Sequence, residues 1–165
     1  GYAHQHGKTI SDWSVTGPAG INPVWEGRPP RPRHAFSDNG RIPHGRQVAF
    51  IQNVGSLSQS VPGFEQGKRY RVLYWENARH NNAPDRNPRL KVTLGESVVV
   101  SEHAVRPAER IGRRTLPYAW VESAVFTAPR SGAFELVFET TCGDRVAVLL
   151  DRVRVVEVEE KREAP

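Results

Sequence analysis

The chain contains no methionine and one cysteine, Cys142, so an internal disulfide is excluded. Apolar residues make up 38% and aromatics 8%, which is thin for a globular chain. No apolar run is long enough to span a bilayer as a helix, and no leader pattern is visible. The 3.6-residue periodicity of amphipathic helices is absent, and no repeat at a solenoid period is present. The glycines of "GRIPHGR" and "CGDR" lack the strand–loop–helix setting of a phosphate-cradling loop. The net charge of +5 and pI near 9.8 raise a polyanion partner, but there is no Lys/Arg run. The basic residues are scattered, mostly arginines alternating with apolar residues, and nucleic-acid binding is not expected. The chain opens at Gly1 without a methionine and is expected to be one domain of a longer protein, so its location must be inferred from function.

The 165 residues suffice for one domain with its own core, and 14 glycines with 13 prolines mark a loop-rich fold. Short segments with period-two alternation recur between turn residues. They are 10–17, 47–52, 56–61, 69–77, 89–95, 96–101, 118–128, 132–140 and 145–159, with a hairpin around Gly95. Residues 18–46 and 102–117 read as irregular, and 62–68 and 78–88 as turns. This pattern predicts an all-β fold, an antiparallel β-sandwich of jelly-roll type. It would occupy residues 10–158, with 1–9 as a lead-in segment and 159–165 as a tail or linker. The long irregular stretch carries Trp25, His34, Phe36 and His44, material for packing on the body or meeting a ligand.

The most informative stretch is "RYRVLYWENAR", 69–79. Alternation places Tyr70, Val72 and Tyr74 on one face, assigned to the core, and Arg71, Leu73, Trp75 and Asn77 on the other, with Arg79 following. An indole beside an amide and a guanidinium suits sugar recognition. A pyranose stacks its C–H face on an aromatic plate and offers its hydroxyls to planar polar groups. Gln52 and Gln59 on adjacent predicted strands, and Tyr118 and Trp120 on a later one, are further candidates. The competing reading buries Trp75 beneath the 18–46 loop, with Asn77 and Arg79 capping a turn.

The run "DNGRIPHGRQVAFIQNVGSLSQSVPGFEQGKRYRVLYWENAR", with the later "GDRVAVLLDRVRV", resembles bacterial galactose-binding-like jelly rolls. More distantly it is similar to carbohydrate-binding modules of the family 4 and 9 type. The resemblance covers about residues 10 to 158. It implies a glycan ligand, a polysaccharide or oligosaccharide, and a setting in a secreted or cell-surface bacterial protein beside neighbouring domains. It also implies a structural Ca2+ held partly by the aspartate matching Asp151. The sequence departs from the family at two points: nothing before Trp13 spells the usual acidic first strand, and Arg152 stands where a second aspartate is usual. Both bear on that ion, which needs six to eight oxygens.

Catalytic signals are sparse. His4 and His6 have the H-x-H spacing of two ligands to one metal, but lie in a polar lead-in. Glu76 with Glu122 can be imagined as a glycosidase pair of carboxylates, but nothing in the sequence singles them out. The expected function is therefore a non-catalytic carbohydrate-binding module. A structural or protein-interaction sandwich is the second reading, and a hydrolase or metal-dependent enzyme the third.

Overall fold

The computed structural model describes residues 3–4, 10–23, 42–45, 47–78, 87–105, 110–111, 114–115, 118–141 and 146–159. Its strands are β1 (Ala3–His4), β2 (Ser14–Thr16), β3 (Ala19–Pro23), β4 (Gln47–Gln52), β5 (Gly55–Phe64), β6 (Arg69–Ala78) and β7 (Arg89–Leu94). They continue with β8 (Ser97–Ala104), β9 (Arg110–Ile111), β10 (Arg114–Thr115), β11 (Ala119–Glu122), β12 (Phe126–Thr127), β13 (Gly132–Thr140) and β14 (Ala147–Glu157). The described residues include no helix, and no helix is long and apolar enough to cross a membrane.

Two antiparallel sheets form a sandwich. The first runs β1-β3-β4-β14-β6-β11, with β12 also on β6; the second runs β2-β5-β13-β7-β8. The chain passes from sheet to sheet between β1 and β2, β2 and β3, β4 and β5, β5 and β6, β6 and β7, β8 and β11, and on both sides of β13. This alternation is that of a jelly roll. Two of the crossings touch. A Cβ on Gly17 (φ +70°) would sit 2.6 Å from the Val54 carbonyl oxygen, and one on Gly55 would sit 2.7 Å from that of Thr16. Only glycine lets the two backbones approach this closely.

The sequence-derived strands at 47–52 and 132–140 coincide with β4 and β13, and β7 and β8 form the hairpin around Gly95 (φ +57°). Several readings need correction. Residues 102–117 are not wholly irregular, because β8 runs on to Ala104 and Arg110–Ile111 pairs with Arg114–Thr115. Residues 18–46 are not wholly irregular, because Ala19–Pro23 pairs along the whole length of β4. Its Pro-Ala-Gly entry hides a strand that has a partner only in the folded chain. Residues 62–64 do not turn but extend β5. Pro62 is tolerated because β2 pairs only with Ser56–Ser58, leaving that end of β5 a free edge on one side. Residues 118–128 are not one strand. The chain breaks pairing at Ser123–Val125, where the Ser123 N–H bonds to the Val72 carbonyl and the Ala124 N–H to the Val99 carbonyl of the opposite sheet.

Tyr70, Val72 and Tyr74 point into the sandwich, as alternation predicts. They meet Leu90, Val92, Leu136 and Phe138 from the second sheet. Phe64, Tyr70, Phe126 and Phe134 fill one end with edge-to-face rings whose centroids are 4.6–5.8 Å apart. A second, smaller cluster lies on the opposite face of the first sheet, where Val48, Phe50, Leu149 and Tyr118 are buried with Ile42 and Trp75 against them.

Candidate functional site

The outer face of the first sheet carries the site. On β6, Arg71, Leu73, Trp75 and Asn77 face outward. β11 lies antiparallel beside it with Trp120 opposite Trp75 and Glu122 opposite Leu73. On the other side β14 places Asp151 opposite Trp75, and after a bulge Arg154 opposite Leu73. Residues opposite each other in an antiparallel pair share a face, so the register gathers these side chains.

Trp75 and Trp120 form a tilted pair with ring centroids 5.1 Å apart. Trp75 is half-buried against the outer cluster, whereas Trp120 is 38% exposed. The Arg154 guanidinium stands 5.8 Å from the Trp120 ring centre. The indole Nε1–H of Trp120 donates to Glu122 Oε1 at 3.3 Å, and Arg71 Nη1 donates to Glu122 Oε2 at 3.0 Å. The result is an exposed aromatic plate, backed by a second indole and edged by two guanidiniums and a carboxylate held in fixed orientations.

Two of the sequence-derived candidates, Trp75 and Trp120, are thus brought together. Asn77 shares their face but is only 3% exposed. Its Oδ1 accepts the Ala78 N–H at 2.8 Å and its Nδ2 is buried without a partner among the described residues, so it is an interior amide and not a surface donor. Tyr118 is also 3% exposed and belongs to the outer cluster. Gln52 lies on the same face, opposite Ala147 at the end of β4. Gln59 lies in the second sheet, opposite Leu136 and in step with buried Leu57, and is not part of this face. The reading that put Gln52 and Gln59 on adjacent strands fails because the chain changes sheets at Asn53–Val54, between β4 and β5. Arg79, His6, His34, Trp25, Phe36, His80 and Cys142 lie outside the described residues, and of His4 only the backbone is described.

Sequence reasoning missed Arg154 as a member of the site. Alternation from Asp151 alone would place it on the inner face. The bulge after Asp151, with Arg152 at φ +54°, adds the residue that turns it outward. Glu122, which the sequence offers only as a catalytic partner of Glu76, belongs to the site as well. The two carboxylates lie on opposite faces of the sheet, because Glu76 pairs with Ala119 and Glu122 with Leu73.

Glu76 points inward instead and is 6% exposed. Its carboxylate accepts from His103 Nε2 at 2.9 and 3.1 Å, joining β6 of one sheet to β8 of the other. His103 Nδ1 faces the Ser101 carbonyl oxygen at 3.2 Å. Both ring nitrogens therefore meet acceptors, and only the imidazolium satisfies both. The hydrogen bond to Glu76 raises the His103 pKa above its usual value, against partial burial. Tyr74 beside Glu76 is held far above the usual phenol range, first by burial and then by the Glu76 charge.

Asp151, the residue the resemblance assigns to Ca2+, accepts the His44 N–H at 2.7 Å and the Arg152 N–H at 2.8 Å. Backbone donors thus occupy both of its oxygens, and among the described residues no group of three His, Cys, Asp or Glu gathers around a common point.

No protein-family model matches the chain, and no curated protein does. Solved structures share its fold. The CBM22-1 xylan-binding domain from Paenibacillus barcinonensis is 15% identical, with 92% of this chain and 88% of that chain covered and a TM-score of 0.57. The C-terminal family 22 carbohydrate-binding module of a Clostridium thermocellum protein is 12% identical, with 90% and 87% covered and a TM-score of 0.55. TmCBM61, solved in complex with β-1,4-galactotriose, is 13% identical, with 90% of both chains covered and a TM-score of 0.53. These similarities, at 12–15% identity, establish the jelly-roll fold and carry no numbered family over to this chain.

Proposed function

We propose that this chain is a non-catalytic carbohydrate-binding module that takes a glycan on the outer face of its first sheet. Trp120 supplies the stacking plate and Trp75 fixes it from behind. Glu122, Arg71 and Arg154 supply planar hydrogen-bonding groups around the ring. The observation that carries the reading is the tryptophan pair: an indole held open at the surface by a second indole and bordered by oriented polar groups. A fold alone decides no ligand. That the modules sharing it include one described as xylan-binding and one solved with galactotriose supports the ligand class. Glu122 is already paired with Arg71, and Glu76, the other carboxylate of the candidate glycosidase pair, is turned inward and taken by His103. The setting that follows is a secreted or surface protein acting on polysaccharide, with this domain as its anchor.

A glycan array on the folded domain, followed by titration of the best glycan against Trp120→Ala, tests the proposal. Loss of stacking should weaken binding by roughly 1–3 kcal/mol. Undiminished affinity in a folded Trp120→Ala protein would remove the site from this face.

A further inference from the structure

The first sheet is not continuous. β4 pairs with β3 as far as Pro23 opposite Gln47, but with β14 only from Gln52 opposite Ala147 to Ala49 opposite Leu150. Past the bulge, β14 stays with β6, from Arg154 opposite Leu73 to Glu157 opposite Tyr70. Beyond Leu150 the sheet therefore forks, and Gln47 and Val48 have no cross-strand partner on the β14 side.

A cavity of about 260 Å³ occupies the fork. Trp13, Ile21, Ala49, Leu57, Leu150 and Val153 wall it, so its depth is apolar. Gln47, Asp151 and Arg152 stand around it as its polar lining, and Gln47 and Arg152 are exposed. Apolar cavities of about 150 Å³ suffice for a benzene ring. Among the described residues, two of the three non-glycine positions with positive φ flank this one: Arg152 (φ +54°) lines it and Asp12 (φ +65°) precedes Trp13. Backbone in that region is retained where the surroundings impose it, and such strain gathers at ligand sites. The charges are unequally engaged. Both Asp151 oxygens already accept backbone N–H groups, whereas the Arg152 guanidinium makes no ion pair among the described residues.

We infer that the fork is a second binding site, for a small monocarboxylate with a compact aromatic or branched apolar body. The body lies against Trp13, Ala49 and Leu150, and the carboxylate pairs with Arg152 in the bidentate manner that a guanidinium favours. The site is separate from the Trp120 plate, and the inference does not depend on the glycan reading.

The probe is 3-phenylpropanoate, titrated calorimetrically into the whole chain at neutral pH, beside the neutral 3-phenylpropanol and the cationic 3-phenylpropylammonium. Saturable binding of one equivalent is expected, weakened roughly tenfold in the alcohol and by the same factor in Arg152→Gln. The alcohol should bind wild type and Arg152→Gln alike. Ala49→Phe, which fills the cavity, should abolish binding, and Trp120→Ala should leave it unchanged. Failure of the propanoate to saturate by about 10 mM, tighter binding of the ammonium, or full affinity in Arg152→Gln would each overturn the inference. Arg152 is exposed, so the outcome does not hang on whether the cavity-filling variant folds.

Discussion

The two sheets carry different kinds of strand. In the second, β7 alternates strictly: Leu90, Val92 and Leu94 are wholly buried, while Arg89, Lys91 and Thr93 face out. In the first, Val48, Phe50 and Ile51 of β4 are all buried, and so is the run from Ala147 to Leu150 on β14. A strand that is apolar on both sides has both sides covered. The second sheet thus presents one face to water, and the first is an interior layer with a small core on its far side. The tryptophan pair stands at the border of that far core, where cover gives way to solvent. A rigid aromatic plate is built most economically in such a place, because the buried partner holds the exposed one.

The variant with the largest expected effect cuts into the far core. Phe50→Ala should cost about 3–5 kcal/mol, as much as Phe138→Ala in the core between the sheets. Urea denaturation of the two variants makes the comparison. A cost below about 1 kcal/mol for Phe50→Ala would mean that the outer face of the first sheet is not a packed layer.

The same contrast explains how much could be read from the sequence. Where one face meets water, period-two alternation identifies strand, boundary and core face together, as it did for β7, β13 and the Tyr70–Tyr74 side of β6. Where both faces are covered, alternation still identifies the strand but not what lies over it. Asn77 and Tyr118 read as surface groups for that reason, and both are buried. The Trp75–Trp120 pairing needed the register of β11 on β6, which no local pattern encodes. Gln59 was misplaced because the chain changes sheets after Asn53, and Arg154 because a bulge shifts the alternation by one. The His103–Glu76 contact joins the sheets across 27 residues, and neither residue has a neighbour in sequence that announces it.

That contact is the next comparison to sharpen, since it ties the two sheets electrostatically. His103 has a raised pKa, so its contribution to stability is fully present below the unfolded value near 6.5 and is lost as pH rises through the higher folded value. Thermal melts should therefore show wild type losing stability from about pH 6.5 upward relative to His103→Gln, whose curve lacks this component. His103→Ala leaves Glu76 buried without its partner, and should cost about 1–3 kcal/mol at pH 6, discounted because His103 is a third exposed. Parallel pH profiles for wild type and His103→Gln would show that the pair does not couple the sheets.

A comparable effect separates the two tryptophans. Trp75 packs against the far core and Trp120 does not. Trp75→Ala should lower stability by about 2–4 kcal/mol, whereas Trp120→Ala should cost under about 1 kcal/mol. Equal losses in chemical denaturation would place both rings in the same layer and undo the distinction between plate and support.

The smallest effect belongs to the wet face of the second sheet. Lys91 Nζ lies 2.7 Å from Glu139 Oε2 on neighbouring strands, and the hydrogen bond to Glu139 raises the lysine pKa. Both side chains are substantially exposed, so water screens the attraction and ordering two long chains offsets much of it. A double-mutant cycle with Lys91→Ala and Glu139→Ala should give a coupling within the error of denaturation measurements, fading further in 1 M salt. A coupling that resists salt would mean that this face, too, is covered, and the contrast between the sheets would have to be redrawn with the second as another interior layer.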